Sequence, residues 1–361
     1  MMLSVNEVIS ALNSVIDPNT HKKLEVTDEN SQLTIDGQRL DLSLTLAYPF
    51  DDREGLLRTR IQEALSPLGA ELGTLKLGLK VKKHAVQGEL RPLANVKNII
   101  AVASGKGGVG KSTTSVNLAL ALQQQGAKVG LLDADIYGPS VPTMLGVHEK
   151  PRSLDGKMMQ PLVGHQLEAN SLGFLLDDDA PAIWRGPMAT QALTQLIQQT
   201  AWSDLDYLII DMPPGTGDIA LTMAQRVPLV GAVVVTTPQD LALIDARKGL
   251  RMFQQVDVPV LGVVENMSVH ICSQCGHAEP IFGQGGGRDM AEQYGVPWLG
   301  ALPLAMSIRE QTDSGAPTVI SAPESAEAQL YRDIATKVAA RVSLLPEDTS
   351  WKRPKVVPRP L

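Results

Sequence analysis

The 361-residue chain nowhere holds the roughly 18 consecutive apolar residues that a helix needs to cross a bilayer, so the sequence predicts no membrane span or membrane partner. Its first residues, Met1-Met-Leu-Ser-Val-Asn-Glu7, carry neither a basic n-region nor an apolar h-region, and no secretory signal is expected there. Basic charge is not in excess. Thirty-two Lys and Arg face 39 Asp and Glu, for a net charge of −7, which argues against a general nucleic-acid partner. Cysteine is scarcest: Cys272 and Cys275 are the only 2. A disulfide across so short a loop would stabilise little. The pair reads instead as a metal or redox site in a reducing compartment, which predicts a cytoplasmic protein. Internal repeats and long low-complexity tracts are also lacking. What remains is ordinary for a globular protein: 43% hydrophobic and 20% charged residues, in a chain long enough for two or three domains.

The stretch that organises the chain is Ala103-Ser-Gly-Lys-Gly-Gly-Val-Gly-Lys-Ser-Thr-Thr114. An apolar run, Ile99-Ile-Ala-Val-Ala103, reads as a buried strand before it, and Thr113 to Leu122 reads as a helix after it. Gly105 to Ser112 has the G-x-x-x-x-G-K-[ST] spacing of a phosphate-binding P-loop, in the strand–loop–helix context that motif requires. Backbone N–H groups of Gly105, Lys106, Gly107, Gly108, Val109 and Gly110 can converge on phosphate oxygens, and the helix starting near Thr113 turns its positive end to the same place. Lys111 should reach the β/γ-phosphates, and Ser112 should hold Mg²⁺. A Gly-rich turn of purely structural purpose would explain neither residue.

Upstream, residues 1–85 read as a compact α+β module. Leu3 to Ile16 approximates an amphipathic helix ended by Asp17-Pro18, and a second helix is expected around Asp51 to Leu65. Leu40-Asp-Leu-Ser-Leu-Thr-Leu46 and Leu75-Lys-Leu-Gly-Leu-Lys-Val81 alternate as half-buried strands do. The module resembles the MIP18-like domain of iron–sulfur assembly, although Asp17-Pro18-Asn19 replaces that family's Asp-Pro-Glu and removes a carboxylate. It has no cysteine and reads as an interaction or regulatory domain. Residues 86–97, with Gly88 and Pro92, read as a linker. From 98 to 343 strands and helices alternate. Apolar strand runs at 99–103, 129–132, 207–210, 231–235 and 260–264 imply strands buried on both faces, hence a mostly parallel α/β sheet. Helices are expected near 188–199, 219–225 and 241–255, then a strand near 298–302 and a long helix near 324–341. Residues 344–361 form a basic, Pro-rich tail whose prolines rule out a continuous amphipathic helix.

Ligands on such sheets sit at the carboxyl ends of strands, and that is where the polar residues fall. Asp133 and Asp135 follow the second run, in Leu131-Leu-Asp-Ala-Asp-Ile-Tyr-Gly-Pro-Ser140. Asp211 follows the third, in Tyr207-Leu-Ile-Ile-Asp-Met-Pro-Pro-Gly-Thr-Gly-Asp218, and reads as a Walker B carboxylate for Mg²⁺. The next loop reads as a switch in which Gly215 offers its N–H to a γ-phosphate. Asp133 reads either as support for the metal site and switch or as a turn cap. Asn266 is placed to read adenine, or else to stabilise a turn.

His270-Ile-Cys-Ser-Gln-Cys-Gly-His277 follows at once, inside a Gly-rich insertion. Three uses stay open. A redox dithiol usually starts a helix of a thioredoxin-like unit, and this one does not. Zinc bound by His270, Cys272, Cys275 and His277 is arithmetically possible but leaves little chain to wrap a tetrahedron. A [4Fe–4S] cluster wants four thiolates, which a two-fold homodimer would supply on its axis.

The extra lysine, Lys106, makes the loop resemble a deviant Walker A motif. With Asp-Ala-Asp-Ile-Tyr-Gly-Pro-Ser, Asp-Met-Pro-Pro-Gly-Thr-Gly-Asp and the Asn-Met then C-x-x-C order, residues 98–341 resemble the Mrp/ApbC family of iron–sulfur cluster carrier ATPases. The resemblance implies an ATP-hydrolysing homodimer that binds a [4Fe–4S] cluster through Cys272 and Cys275 and delivers it to apo-proteins after receiving it from a donor. It also implies that Lys106 reaches across to the partner's nucleotide and that Asp135 orients or deprotonates the attacking water. Two other classes share the P-loop. A MinD/ParA-type partitioning ATPase needs a membrane helix or a DNA surface, which the acidic chain and its Pro-broken tail do not obviously supply. A reductase like the nitrogenase iron protein has bridging cysteines far apart in sequence, unlike this pair.

Overall fold

The computed structural model describes residues 3–53, 55–88, 90–153, 156–175 and 186–349. The N-terminal unit holds α1 (Val5–Leu12), β1 (Ser31–Asp36), β2 (Arg39–Leu46), α2 (Leu56–Leu65) and β3 (Glu71–Leu79), with strand order β1-β2-β3. β1 and β2 form an antiparallel hairpin through Gly37 (φ +61°), and α2 crosses over to bring β3 parallel to β2. The alternating Leu40, Leu42, Leu44 and Leu46 of β2 bury against Val8 and Leu12 of α1 and Leu57, Ile61 and Leu65 of α2. β1 was not legible: its side chains are only partly buried, and Ser-Gln-Leu-Thr-Ile-Asp gives a faint alternation. The first helix is shorter than its apolar pattern. It ends at Leu12, and Asp17 then closes a turn by accepting from the N–H groups of Asn19 (2.8 Å) and Thr20 (2.9 Å) and from the buried Tyr48 hydroxyl (2.7 Å).

The larger unit runs β4 (Val96–Ser104), α3 (Lys111–Gln124), β5 (Val129–Asp133), α4 (Val141–Leu145), β6 (Leu162–Gly164), β7 (Leu167–Ser171), α5 (Gly186–Gln199), β8 (Leu205–Asp211), α6 (Asp218–Arg226), β9 (Gly231–Thr236), α7 (Asp240–Gln255) and β10 (Val260–Glu265). It continues with β11 (His270–Ile271), β12 (Ala278–Glu279), α8 (Gly286–Gln293), β13 (Trp298–Ala301), α9 (Met306–Asp313), α10 (Thr318–Ser321) and α11 (Ala326–Ser343). Eight strands form one sheet in the order β13-β10-β9-β4-β8-β5-β7-β6, parallel throughout except for the β6–β7 pair. Side-chain alternation divides the core in two. Ile100 and Val102 of β4, with Tyr207 and Ile209 of β8, pack on the α3 and α11 side. Ile99, Ala101, Leu208 and Ile210 pack on the α5 and α6 side. Residues 114–122 of α3 are all buried, because the helix lies between sheet and α11; hence its sequence has no polar face.

The end of the 1–85 stretch and the start of the expected linker are laid down against the larger unit. His84 is buried with Nδ1 2.9 Å from Asn98 Oδ1, and Gln87 Nε2 donates to the carbonyls of Ala224 (2.9 Å) and Val227 (2.7 Å). The start of the expected tail joins it: the N–H of Ala85 donates to Pro346 O (2.8 Å), and that of Asp348 to Lys83 O (2.9 Å). The rest of the tail, 350–361, lies outside the described residues. Among the described residues no helix is long and apolar enough to cross a membrane.

Candidate nucleotide and cysteine sites

β4 ends at Ser104 and α3 begins at Lys111, so the P-loop spans the carboxyl edge of the central strand. Two of its glycines are required by geometry. Gly105 faces the α7 backbone, where an added Cβ would overlap the carbonyl of Asp245 and the nitrogen of Ala246. Gly110 is left-handed (φ +79°), and an added Cβ there would overlap Asn266 Nδ2. No side chain caps α3, so its first N–H groups keep their capacity for an anion. Gly107, Gly108, Gly110, Lys111, Ser112, Thr113 and Asp135 line a hollow of about 200 Å³. A larger one, about 510 Å³, lies between α3 and the N-terminal unit around Phe50, Asp52 and Arg58, away from the P-loop. The smaller hollow has the chemistry.

Four of the expected residues meet there. Lys111 is buried, with Nζ 2.8 Å from Asp211 Oδ1 and 3.7 Å from Asp135 Oδ2. Ser112 Oγ donates to Asp211 Oδ2 at 2.5 Å. Ser115, which the motif did not single out, donates to Asp211 Oδ1 at 2.6 Å; it is one helical turn beyond Lys111, on the same face. A serine and a buried carboxylate are an oxygen donor set suited to a hard divalent cation.

Asp133 is a second buried carboxylate. Its oxygens accept from the N–H groups of Asp135 (3.1 Å), Ser140 (3.1 Å) and Val141 (3.2 Å) and from Ser171 Oγ (3.0 Å). It thereby pins the loop that carries Asp135. Burial, and next the negative charge of Asp211, push its pKa up to about 7, while the Val141 and Asp135 amides and the Lys111 charge pull the other way. Burial likewise raises Asp135 above the usual carboxylate range, against the pull of Lys111. Ser171 lies on a hairpin whose short strands the apolar pattern did not reveal.

Two expected contacts are otherwise engaged. The Gly215 N–H, expected to face the γ-phosphate, donates to Ser104 O at 2.8 Å, so the switch loop must shift before that donor is available. Asn266, expected to read adenine, is buried and donates from Nδ2 to Val109 O at 2.9 Å, so it braces the P-loop. Lys106 is half-buried, and its carbonyl accepts from Ser104 Oγ at 2.8 Å.

Cys272 and Cys275 are free thiols on the β11–β12 hairpin, the first half-buried and the second exposed. The turn closes through Cys272 N–H to His277 O (2.9 Å) and Gly276 N–H to Cys272 O (2.8 Å). Hydrogen bonds from the Gln274 and Cys275 amides to its sulfur lower the Cys272 pKa, which favours the thiolate that binds metal. Among the described residues no group of three or more His, Cys, Asp or Glu is gathered for a metal ion, so the four-ligand zinc arrangement with His270 and His277 is not built.

A family model described as "NUBPL iron-transfer P-loop NTPase" matches residues 95–339, and one described as "Iron-sulfur cluster assembly protein" matches residues 6–72. The chain is 59% identical to an "Iron-sulfur cluster carrier protein" of Pseudomonas fragi, over 76% of this chain and 97% of that protein. A protein of the same description from Haemophilus influenzae is 48% identical over 97% of this chain and 96% of its own length. Among solved structures, the nucleotide-binding protein of Archaeoglobus fulgidus in complex with ADP aligns with a TM-score of 0.54 and 36% identity, covering 61% of this chain and 87% of that one.

Proposed function

The chain belongs to the family of NUBPL iron-transfer P-loop NTPases, and from that premise we propose that it is an ATP-dependent carrier of iron–sulfur clusters. The observation that carries the reading is the hairpin with its 2 free thiols, built into the same unit as the P-loop. A [4Fe–4S] cargo takes four thiolates. Two chains meeting about a two-fold axis supply them, so the carrier is a homodimer while loaded, receiving its cargo from a cluster donor and passing it to apo-proteins. Neither a membrane nor a nucleic acid takes part, and the protein works in the cytoplasm. The matched family model is an iron-transfer one, which leaves the spatial-partitioning alternative the less supported of the two.

The nucleotide is ATP, and the chain hydrolyses it. P-loop amides and the uncapped start of α3 hold its phosphates, and Lys111 exchanges its pairing with Asp211 for the β/γ-phosphates. Ser112 and Asp211 would hold Mg²⁺, which would supply neutralising charge at the phosphates. Asp135, more basic than an exposed carboxylate, orients the attacking water and accepts its proton. Lys106 reaches the partner's nucleotide across the dimer. Gly215 leaves Ser104 to meet the γ-phosphate, which makes the switch loop sensitive to hydrolysis. Asn266 gives up its bond to Val109 O to read the adenine edge.

Anaerobic reconstitution with iron and sulfide tests the reading. About four irons per two chains, broad absorbance near 400 nm, and a mass that doubles on loading are expected. Cys272→Ala and Cys275→Ala should each abolish all three signals. A metal held one per chain by a monomer would refute the proposal.

A further inference from the structure

β10 ends at the buried Glu265, the buried Asn266 follows it directly, and each holds a different part of the molecule. Asn266 ties the nucleotide side: Nδ2 donates to Val109 O (2.9 Å) in the P-loop, while its N–H donates to Thr236 O (2.7 Å) at the end of β9. Glu265 ties the far end of the cysteine insertion: Oε2 accepts the N–H of Gly287 at 2.6 Å, in the first turn of α8. Gly287 suits that contact, since an added Cβ would lie 3.0 Å from the same oxygen. The near end of the insertion starts at Met267, whose φ of +56° places a non-glycine residue in the left-handed region. From there the chain is stitched to the segment after β13. Ser268 N–H donates to Leu302 O (3.0 Å), Leu304 N–H to Val269 O (2.8 Å) and Ile271 N–H to Leu304 O (3.2 Å). Cys272 is the next residue. A continuous set of buried or backbone contacts therefore runs from a P-loop carbonyl to the thiols.

We propose that Glu265 and Asn266 form the link by which the nucleotide state of the P-loop changes the exposure of the cysteine hairpin. A shift of the Val109 carbonyl, or recruitment of the Asn266 amide by a base, moves the end of β10. Met267 is the joint that turns this movement into a tilt of the hairpin. Glu265 holds the other end of the insertion, so that the hairpin tilts and the loop does not simply slacken. Both are positioning residues in this role, and the link rests on the carrier reading only for what the hairpin holds.

The test uses the metal-free full chain, so it does not depend on cluster loading. The alkylation rate of Cys272 and Cys275 by iodoacetamide is followed by mass spectrometry, with and without a non-hydrolysable ATP analogue and Mg²⁺. In the wild-type chain the analogue should change the rate at least about fivefold, the low end of allosteric couplings. Glu265→Ala should bring that ratio toward unity without weakening nucleotide binding, and Glu265→Gln, which keeps the acceptor for Gly287, should restore it. Met267→Gly, favourable at positive φ, cuts the same path and decides the matter should Glu265→Ala fail to fold. A wild-type ratio near one, or an unchanged ratio in Glu265→Ala or in Met267→Gly, overturns the link. Cluster uptake, measured separately, distinguishes this failure from failure of the carrier reading.

Discussion

Replacing Lys111 with methionine should destabilise the fold itself, before any nucleotide is considered. Lys111 Nζ lies 2.8 Å from Asp211, which is fully buried, and the equally inaccessible Asp133 raises the negative charge of the same neighbourhood. Removing one partner of a buried ion pair costs about 3–5 kcal/mol. Here Ser112 and Ser115 keep donating to Asp211, so its charge is not left wholly uncompensated and the expected loss lies at the low end of that range, about 3 kcal/mol. Urea unfolding without nucleotide or Mg²⁺ at pH 7.5, followed by circular dichroism, reads this quantity without interference from lost binding. Lys111→Met/Asp211→Asn should recover much of the deficit, giving a coupling of about 2 kcal/mol in the cycle. The deficit should also shrink below about pH 7, where Asp133 takes up a proton and less charge remains to be neutralised. A single variant within about 0.5 kcal/mol of wild type, the usual spread of surface changes, would show that the carboxylates do not need this cation, and the reasoning would fail.

Gly105→Ala should separate the P-loop from α7, because its Cβ meets backbone and not a movable side chain; an overpacking cost of about 1–3 kcal/mol and weaker nucleotide binding are expected. Gly107→Ala, with nothing within 4 Å of its Cβ, should leave unfolding unchanged, and equal effects of the two would refute the packing argument. His84 should make stability pH-dependent. Burial holds its pKa below the ordinary 6.5, with Lys82 acting in the same direction and Asn98 and Glu347 opposing. The unfolded chain then binds the proton first, so stability is intact above about pH 6.5 and falls as pH drops through the folded-state value. His84→Asn should flatten that slope in thermal unfolding between pH 7 and 5, and a slope identical to wild type would remove His84 as its source.

Much of the candidate nucleotide site was legible in the sequence because the constraints of a P-loop are local. A P-loop needs glycines, a lysine and a serine at short fixed spacings after a strand, and the apolar runs around 99–103 and 207–210 marked the strands whose ends carry Ser104 and Asp211. The fully buried parallel strands were visible for the same reason, since both faces are apolar and no register has to be known. The β6–β7 hairpin and β1 were not, because short or half-exposed strands leave no such run. Ser115, Ser171 and Glu265 are unremarkable letters in isolation. Only α3 packing beside β8, β7 pairing with β5, and the return of the chain at α8 give them partners. Asn266 shows the division most clearly. Its place after a strand is written in the chain, but its grip on Val109, 157 positions away, exists only once β10 and the P-loop lie at the same sheet edge. Spacing along the chain determined which groups could do chemistry. The folding of distant segments onto one edge decided which of them touch, because hydrogen bonds depend on distance in space and not on separation in sequence.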